Sequence, residues 1–291
     1  MAKFLLIGCT STIGKNLIPR LISDGHEVDG IRYKSDCLIS EPFHSCQAID
    51  LLSSNLGEVI RGSKADYLVL AAWITLPGIY LSSEENTLWL NSYALILDEF
   101  KRSGGSCIVG LGSCAEYYSP QPSKTTETDL AIPESEYGKA KVAVLDLIQE
   151  TGLEYLWTRT FFQYGADDPH GKFIKAAILA LSNGGEFYVF DPLAKRDYVY
   201  FEDVVFAIHQ LISRGARGVF NIGTGQAYSN LEVAQLVHQK LGYVGSVRIN
   251  DNPPEESLIC SSNVKVSTAI GFHDWTTLQE GISLVIKALT S

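Results

Sequence analysis

Residues 4 to 21 constrain the fold of this chain more than any other stretch. Phe4 to Cys9 is an apolar run of strand length, Gly8-Cys9-Thr10-Ser11-Thr12-Ile13-Gly14 follows, and Leu17, Ile18 and Leu21 then recur at helical spacing. A strand, a glycine turn and a helix in that order bring backbone close to a pyrophosphate and aim a helix N-terminus at its charge. Dinucleotide contacts are therefore expected at Gly8, Thr10, Ser11, Thr12, Ile13 and Gly14. Ser11 stands where a regular Gly-x-x-Gly-x-x-Gly turn has its middle glycine, and a plain strand-to-helix connection would show much the same pattern.

The next segments repeat the alternation. Gly25 to Arg32 reads as a second strand, ending in Arg32-Tyr33-Lys34 where such a fold meets the adenosine ribose. A carboxylate there takes the ribose hydroxyls of NAD, whereas an arginine suits the extra phosphate of NADP, so Arg32 points to NADP, with Asp29 as the acidic rival. Cys46 to Ile49 is a short third strand, followed by Asp50 and Leu51 as expected adenine contacts. A strand from Tyr67 brings Ala71 and Ala72 to the cofactor side. A helix from about Glu85 to Arg102, a strand Ser106 to Leu111 and a strand Tyr155 to Phe161 continue the series. Strands alternating with helices predict a parallel sheet covered on both faces, an α/β architecture.

Composition narrows the partners. The 291 residues are 46% hydrophobic and 19% charged, and the formal net charge of -10 comes with no basic run, which argues against nucleic acid. Apolar runs are too short for a signal segment or a membrane span, so no membrane partner is expected. Six cysteines without metal-type spacing suggest reduced, mostly buried thiols, no metal and a cytoplasmic location.

Tyr137-Gly138-Lys139-Ala140-Lys141 carries the chemistry. Ser135 is a plausible N-cap and Val142 to Ile148 has helical spacing, which places Tyr137 and Lys141 on one helical face. A phenol beside an ammonium is a candidate acid–base group, although Tyr and Lys four apart are usually plain surface. Ser113 stands in Gly112-Ser113-Cys114-Ala115-Glu116-Tyr117 at a strand end.

With Ser113, Tyr137 and Lys141 in that order, the chain resembles the extended short-chain dehydrogenase/reductases of the epimerase/dehydratase group, which modify nucleotide sugars. Arg159-Thr160-Phe161-Phe162-Gln163-Tyr164-Gly165 is similar to the family's Arg-x-x-Asn-x-Tyr-Gly, with Phe162 in place of Asn. Lys195 to Val204 and Gly218 to Gly225 match two further segments. The resemblance implies a Rossmann-like doubly wound parallel sheet over residues 1–162 plus 200–226, and a smaller, discontinuous C-terminal substrate lobe over 163–199 plus 227–291. It further implies Tyr137 as proton carrier, Lys141 on the nicotinamide ribose and lowering the Tyr137 pKa, and Ser113 polarising the substrate oxygen. Cys114, Phe162 and Arg196 would face the substrate, with Arg196 on a diphosphate, its alternative being a surface ion pair with Asp197.

Cys114 and Ala115 stand where dehydratases of this group carry an Asp-Glu pair, which disfavours dehydration. The leading expectation is therefore an NADP(H)-dependent reductase of a nucleotide-linked 4-keto (6-deoxy) sugar. The alternatives are a 4-epimerase with tightly bound NAD(H), a reductase of a small ketone or aldehyde, and a non-catalytic dinucleotide sensor. The helix from Glu85 is apolar on more than one face through Leu88, Leu90, Tyr93, Ala94, Leu97 and Phe100, and the Tyr137 helix is similar. The resemblance implies that the two pair with their twins in a homodimer, with Leu97 in the contact, although burial between the sheet and neighbouring loops would give the same pattern.

Overall fold

A computed structural model describes residues 1–33, 45–49, 56–117, 121, 123–271 and 273–290. Asp50, Leu51 and Lys34 lie outside the described residues.

Six strands, β1 (Lys3–Ile7), β2 (Glu27–Tyr33), β3 (Ser45–Ile49), β4 (Tyr67–Leu70), β5 (Cys107–Ser113) and β6 (Glu154–Thr160), join Gly218–Ile222 in a seven-stranded sheet. Every pairing is parallel, and the spatial order runs Gly218–Ile222, β6, β5, β4, β1, β2, β3. This is the expected doubly wound, Rossmann-like α/β sheet. Its inner strands, such as β1 and β4, are buried on both faces, which is why they read as apolar runs rather than as alternation.

On one face α1 (Thr12–Ser23), α6 (Phe201–Ser213) and α8 (Val264–Ile270) enclose a core with Leu6, Leu17, Val69, Val204 and Ile208. On the other, α2 (Leu56–Ser63), α3 (Glu85–Arg102) and α4 (Glu136–Glu150) enclose Leu5, Leu68, Trp89, Ile96, Val144 and Trp157. A third cluster gathers Tyr164 and Tyr198 with residues of α5 (Phe173–Ser182), α7 (Asn230–Lys240) and α9 (Leu278–Thr290). The chain order reverses between β1 and β4, and in open α/β sheets ligands sit outside the carboxyl ends of the strands at such a point.

Leu97 is 2% exposed, in the core of its own chain, because it shares a face with Tyr93 and Phe100. The expectation that it lies between two copies is corrected. The outward apolar residues of α3 are Leu88 and Leu95.

Candidate active site

The glycine turn forms at the reversal point. Gly8 adopts φ +88°, and a Cβ there would lie 2.5 Å from the Ala72 nitrogen, so the turn packs on the backbone just beyond β4. Its amide and that of Cys9 both donate to the Ile31 carbonyl, at 2.7 and 3.2 Å. Ser11 is the N-cap of α1, its Oγ accepting the Gly14 amide at 3.0 Å. The residue that departs from the glycine pattern thus starts the helix.

Ser113 ends β5 and caps the short turn Cys114–Glu116, with its Oγ accepting from the Ala115 amide at 3.2 Å. Ser135 caps α4 as expected, accepting from Gly138 at 3.0 Å, and puts Tyr137 in the first turn. A Cβ on Gly138 would overlap the Ala115 carbonyl oxygen. Only glycine lets the first turn of α4 press on the Ser113 turn, and that contact brings Tyr137 towards Ser113.

Lys141 is 4% exposed; its Nζ donates to the Leu111 carbonyl at 2.8 Å and lies 4.0 Å from the centroid of the Trp73 ring and 5.7 Å from that of Tyr137. Burial pulls its pKa from 10.5 down to about 7. Burial also pushes the Tyr137 phenol up, with Tyr80 adding to the rise and the Ser113 hydroxyl opposing it. The expected lowering of the Tyr137 pKa does not emerge: the phenol sits in a poorly solvated cleft, and desolvation dominates its shift.

That cleft encloses about 580 Å³. Ser11, Thr12, Ile13, Ala71, Ala72, Ser113, Cys114, Tyr137, Lys141, Phe162 and Arg196 all line it. Gly8, Thr10 and Gly14 shape the turn behind the wall, and Arg32 lies near the end of β2, opposite Ala48. Asp29 is not the alternative ribose reader: it sits mid-strand, 7% exposed, paired with Lys3 at 2.9 Å and accepting from Ser45 Oγ at 2.6 Å.

Arg196 and Asp197 do not pair with each other. The Asp197 carboxylate is fully buried and takes the Thr224 and Gly225 amides at 2.9 and 3.0 Å and Ser261 Oγ at 2.6 Å. Arg196 points the other way, donating to Ser257 Oγ at 3.0 Å, with its guanidinium 5.5 Å from the centroid of the Phe162 ring. The alternation of side chains along a strand separates the two.

Sequence reasoning did not single out Trp73, Tyr80 or Lys172, which also line the cleft and carry no local motif. It also passed over Glu116, fully buried below Ser113, where Arg159 Nε reaches Glu116 Oε2 at 2.6 Å. Ser113 followed three residues later by Glu116 is a capping box, a signal that was there to be read.

Among the described residues no group of three or more His, Cys, Asp or Glu could hold a metal ion, and no helix is long and apolar enough to cross a membrane. A glycine turn on β1, a capped α1 and a cleft running from Ser11 past Ala72 to Lys141 fit a dinucleotide.

Residues 4–223 match the family model of the NAD dependent epimerase/dehydratase family, and the chain belongs to that family. Nicotinamide dinucleotide is accordingly its cofactor. A UDP-glucose 4-epimerase of Lactobacillus helveticus is 25% identical over 321 residues, covering 98% of this chain and 94% of the relative. The solved UDP-glucose 4-epimerase of Thermotoga maritima with UDP-glucose superposes with a TM-score of 0.84 at 21% identity, covering 99% of this chain and 98% of the other. That of Thermus thermophilus in complex with NAD gives 0.83 at 21% identity over 99% of each chain.

Proposed function

We propose that this chain is a nucleotide-sugar 4-epimerase using NAD, the reading favoured by relatives that match over nearly its whole length. The observation that carries it is the grouping of Ser113, Tyr137 and Lys141 in one cleft that Arg196 also lines. The bound nicotinamide supplies a hydride acceptor that can return the hydride to either face of the sugar. Tyr137 Oη takes the proton of the 4-hydroxyl as the phenolate and later gives it back as the phenol. Ser113 Oγ holds the same oxygen and polarises the keto form. Lys141 meets the ribose hydroxyls of the dinucleotide, and Arg196 binds the diphosphate, with Lys172 as a second cation in the cleft. Phe162 and Cys114 face the sugar. Residues 1–162 plus 200–226 would hold the dinucleotide, and 163–199 plus 227–291, which supply most of the third apolar cluster, would hold the sugar nucleotide. Exposed Leu88 and Leu95 on α3 support a homodimer, testable by sedimentation, with a monomer at micromolar concentration counting against it.

Incubation with UDP-glucose, read by NMR, should give the 4-epimer with no net change in nicotinamide absorbance. A second reading, an NADP-dependent reductase of a 4-keto nucleotide sugar, is favoured by Arg32, whose charge reaches Cys9 in the glycine turn. Stoichiometric loss of NADPH with a 4-keto sugar nucleotide, and no epimer from any sugar nucleotide offered, would replace the first reading by the second.

A further inference from the structure

Two cysteines meet beside the glycine turn. Cys9 Sγ lies 3.8 Å from Cys46 Sγ, although they are thirty-seven residues apart in sequence. The meeting follows from the sheet: Cys46 on β3 pairs with Gly30 of β2, and the next residue, Ile31, takes the amides of Gly8 and Cys9 on its carbonyl. Cys9 is buried and Cys46 exposed. We propose that Cys9 and Cys46 are an oxidation site for peroxide, whose closure as a disulfide ties the dinucleotide turn to β3 and weakens cofactor binding.

The chemistry balances. Cys46, the sulfur that solvent reaches, attacks hydrogen peroxide: an S–O bond forms, the O–O bond breaks, and one water leaves with the thiol proton. Cys9 sulfur then attacks Cys46 sulfur, the S–O bond breaks, and a second water departs with the Cys9 proton. Two thiols are oxidised by two electrons and one peroxide is reduced to two waters. Burial and the Cys46 sulfur hold the Cys9 thiol up at about 12, so the order runs from the exposed sulfur inward, while the Arg32 guanidinium helps Cys9 release its proton.

Closure needs about 2.05 Å between sulfurs, so the 3.8 Å gap must shrink by well over an ångström. Cys9 follows Gly8, whose own position is fixed against Ala72, so the movement distorts the turn that would cradle the pyrophosphate. Losing one charge-assisted amide contact there weakens binding about ten- to a hundredfold. This last consequence rests on the dinucleotide reading; the oxidation site does not.

Reduced protein, freed of reductant, would be treated with hydrogen peroxide, alkylated and digested with trypsin. The expected product joins the 4–15 peptide to the 35–61 peptide. Because the latter also contains Cys37, the link must persist in Cys37→Ser and vanish in Cys46→Ser. Titration with NADH and NADPH should show the oxidised wild type weakened at least about tenfold, restored by dithiothreitol, with Cys46→Ser indifferent to peroxide. Full alkylation of both thiols after peroxide, a link through Cys37, or unchanged affinity in the linked protein would each overturn the proposal. If the reduced protein bound neither dinucleotide, the functional reading would fail while the peptide map still decided the oxidation site.

Discussion

Glu116 Oε1 accepts the backbone amide of Ser113 at 2.8 Å from beneath the cleft floor. The carboxylate is fully buried and also takes Trp157 Nε1 at 3.1 Å and Arg159 Nε at 2.6 Å. Arg159 Nη1 in turn donates to Tyr117 Oη, whose hydroxyl reaches Asn221 Oδ1, both at 2.8 Å. The Ser113 turn is thereby tied through buried polar groups to β6 and to the sheet's last strand.

Removing one member of that ion pair leaves a buried charge uncompensated. Glu116→Ala should lose about 3–5 kcal/mol of stability in denaturant unfolding. The double variant Glu116→Met with Arg159→Met should recover much of this, since it buries no lone charge. A double variant less stable than the single would refute the account.

Gly138→Ala offers a test by sign. Ala in place of a helical Gly ordinarily gains about 0.5–1 kcal/mol. Here the added methyl overlaps the Ala115 carbonyl oxygen, so stability and turnover should both fall. A more stable, fully active Gly138→Ala protein would show that α4 does not press on the Ser113 turn.

Tyr137→Phe should cut turnover by about 10² to 10⁴ and leave dinucleotide affinity nearly unchanged. Turnover near that of the wild type would remove Tyr137 from the proton-transfer role.

Lys141 gives a pH signature. Its pKa falls from 10.5 to about 7 on folding, so between those values the unfolded chain holds the extra proton. Stability must then rise with pH across that window, the penalty being full below about 7 and gone above the ordinary lysine value. Lys141→Met lacks this titration. The wild type minus Lys141→Met difference in melting temperature should therefore climb from neutral pH to about pH 10, and a flat difference would contradict the shift.

Arg32 separates the two functional readings at the cofactor. If a 2′-phosphate sits against it, NADPH should bind at least about tenfold tighter than NADH, and Arg32→Asp should erase the preference. Equal binding of both dinucleotides by the wild type would leave the NAD-dependent epimerase as the surviving reading.

Local order was legible in the sequence because its causes are local. The glycine turn after β1, the Ser135 cap, the shared face of Tyr137 and Lys141, and α3 from Glu85 to Arg102 follow from residue spacing and capping chemistry alone. Tertiary structure decided whatever depends on burial, which is set by distant segments. It placed Leu97 inside its own chain, committed Asp29 to Lys3 and turned Asp197 away from Arg196. It also sank Glu116 beneath Ser113 against Arg159 and let desolvation, rather than the neighbouring ammonium, set the Tyr137 phenol. A side chain's charge can be read from its name, but the energy of that charge depends on what the rest of the chain leaves around it.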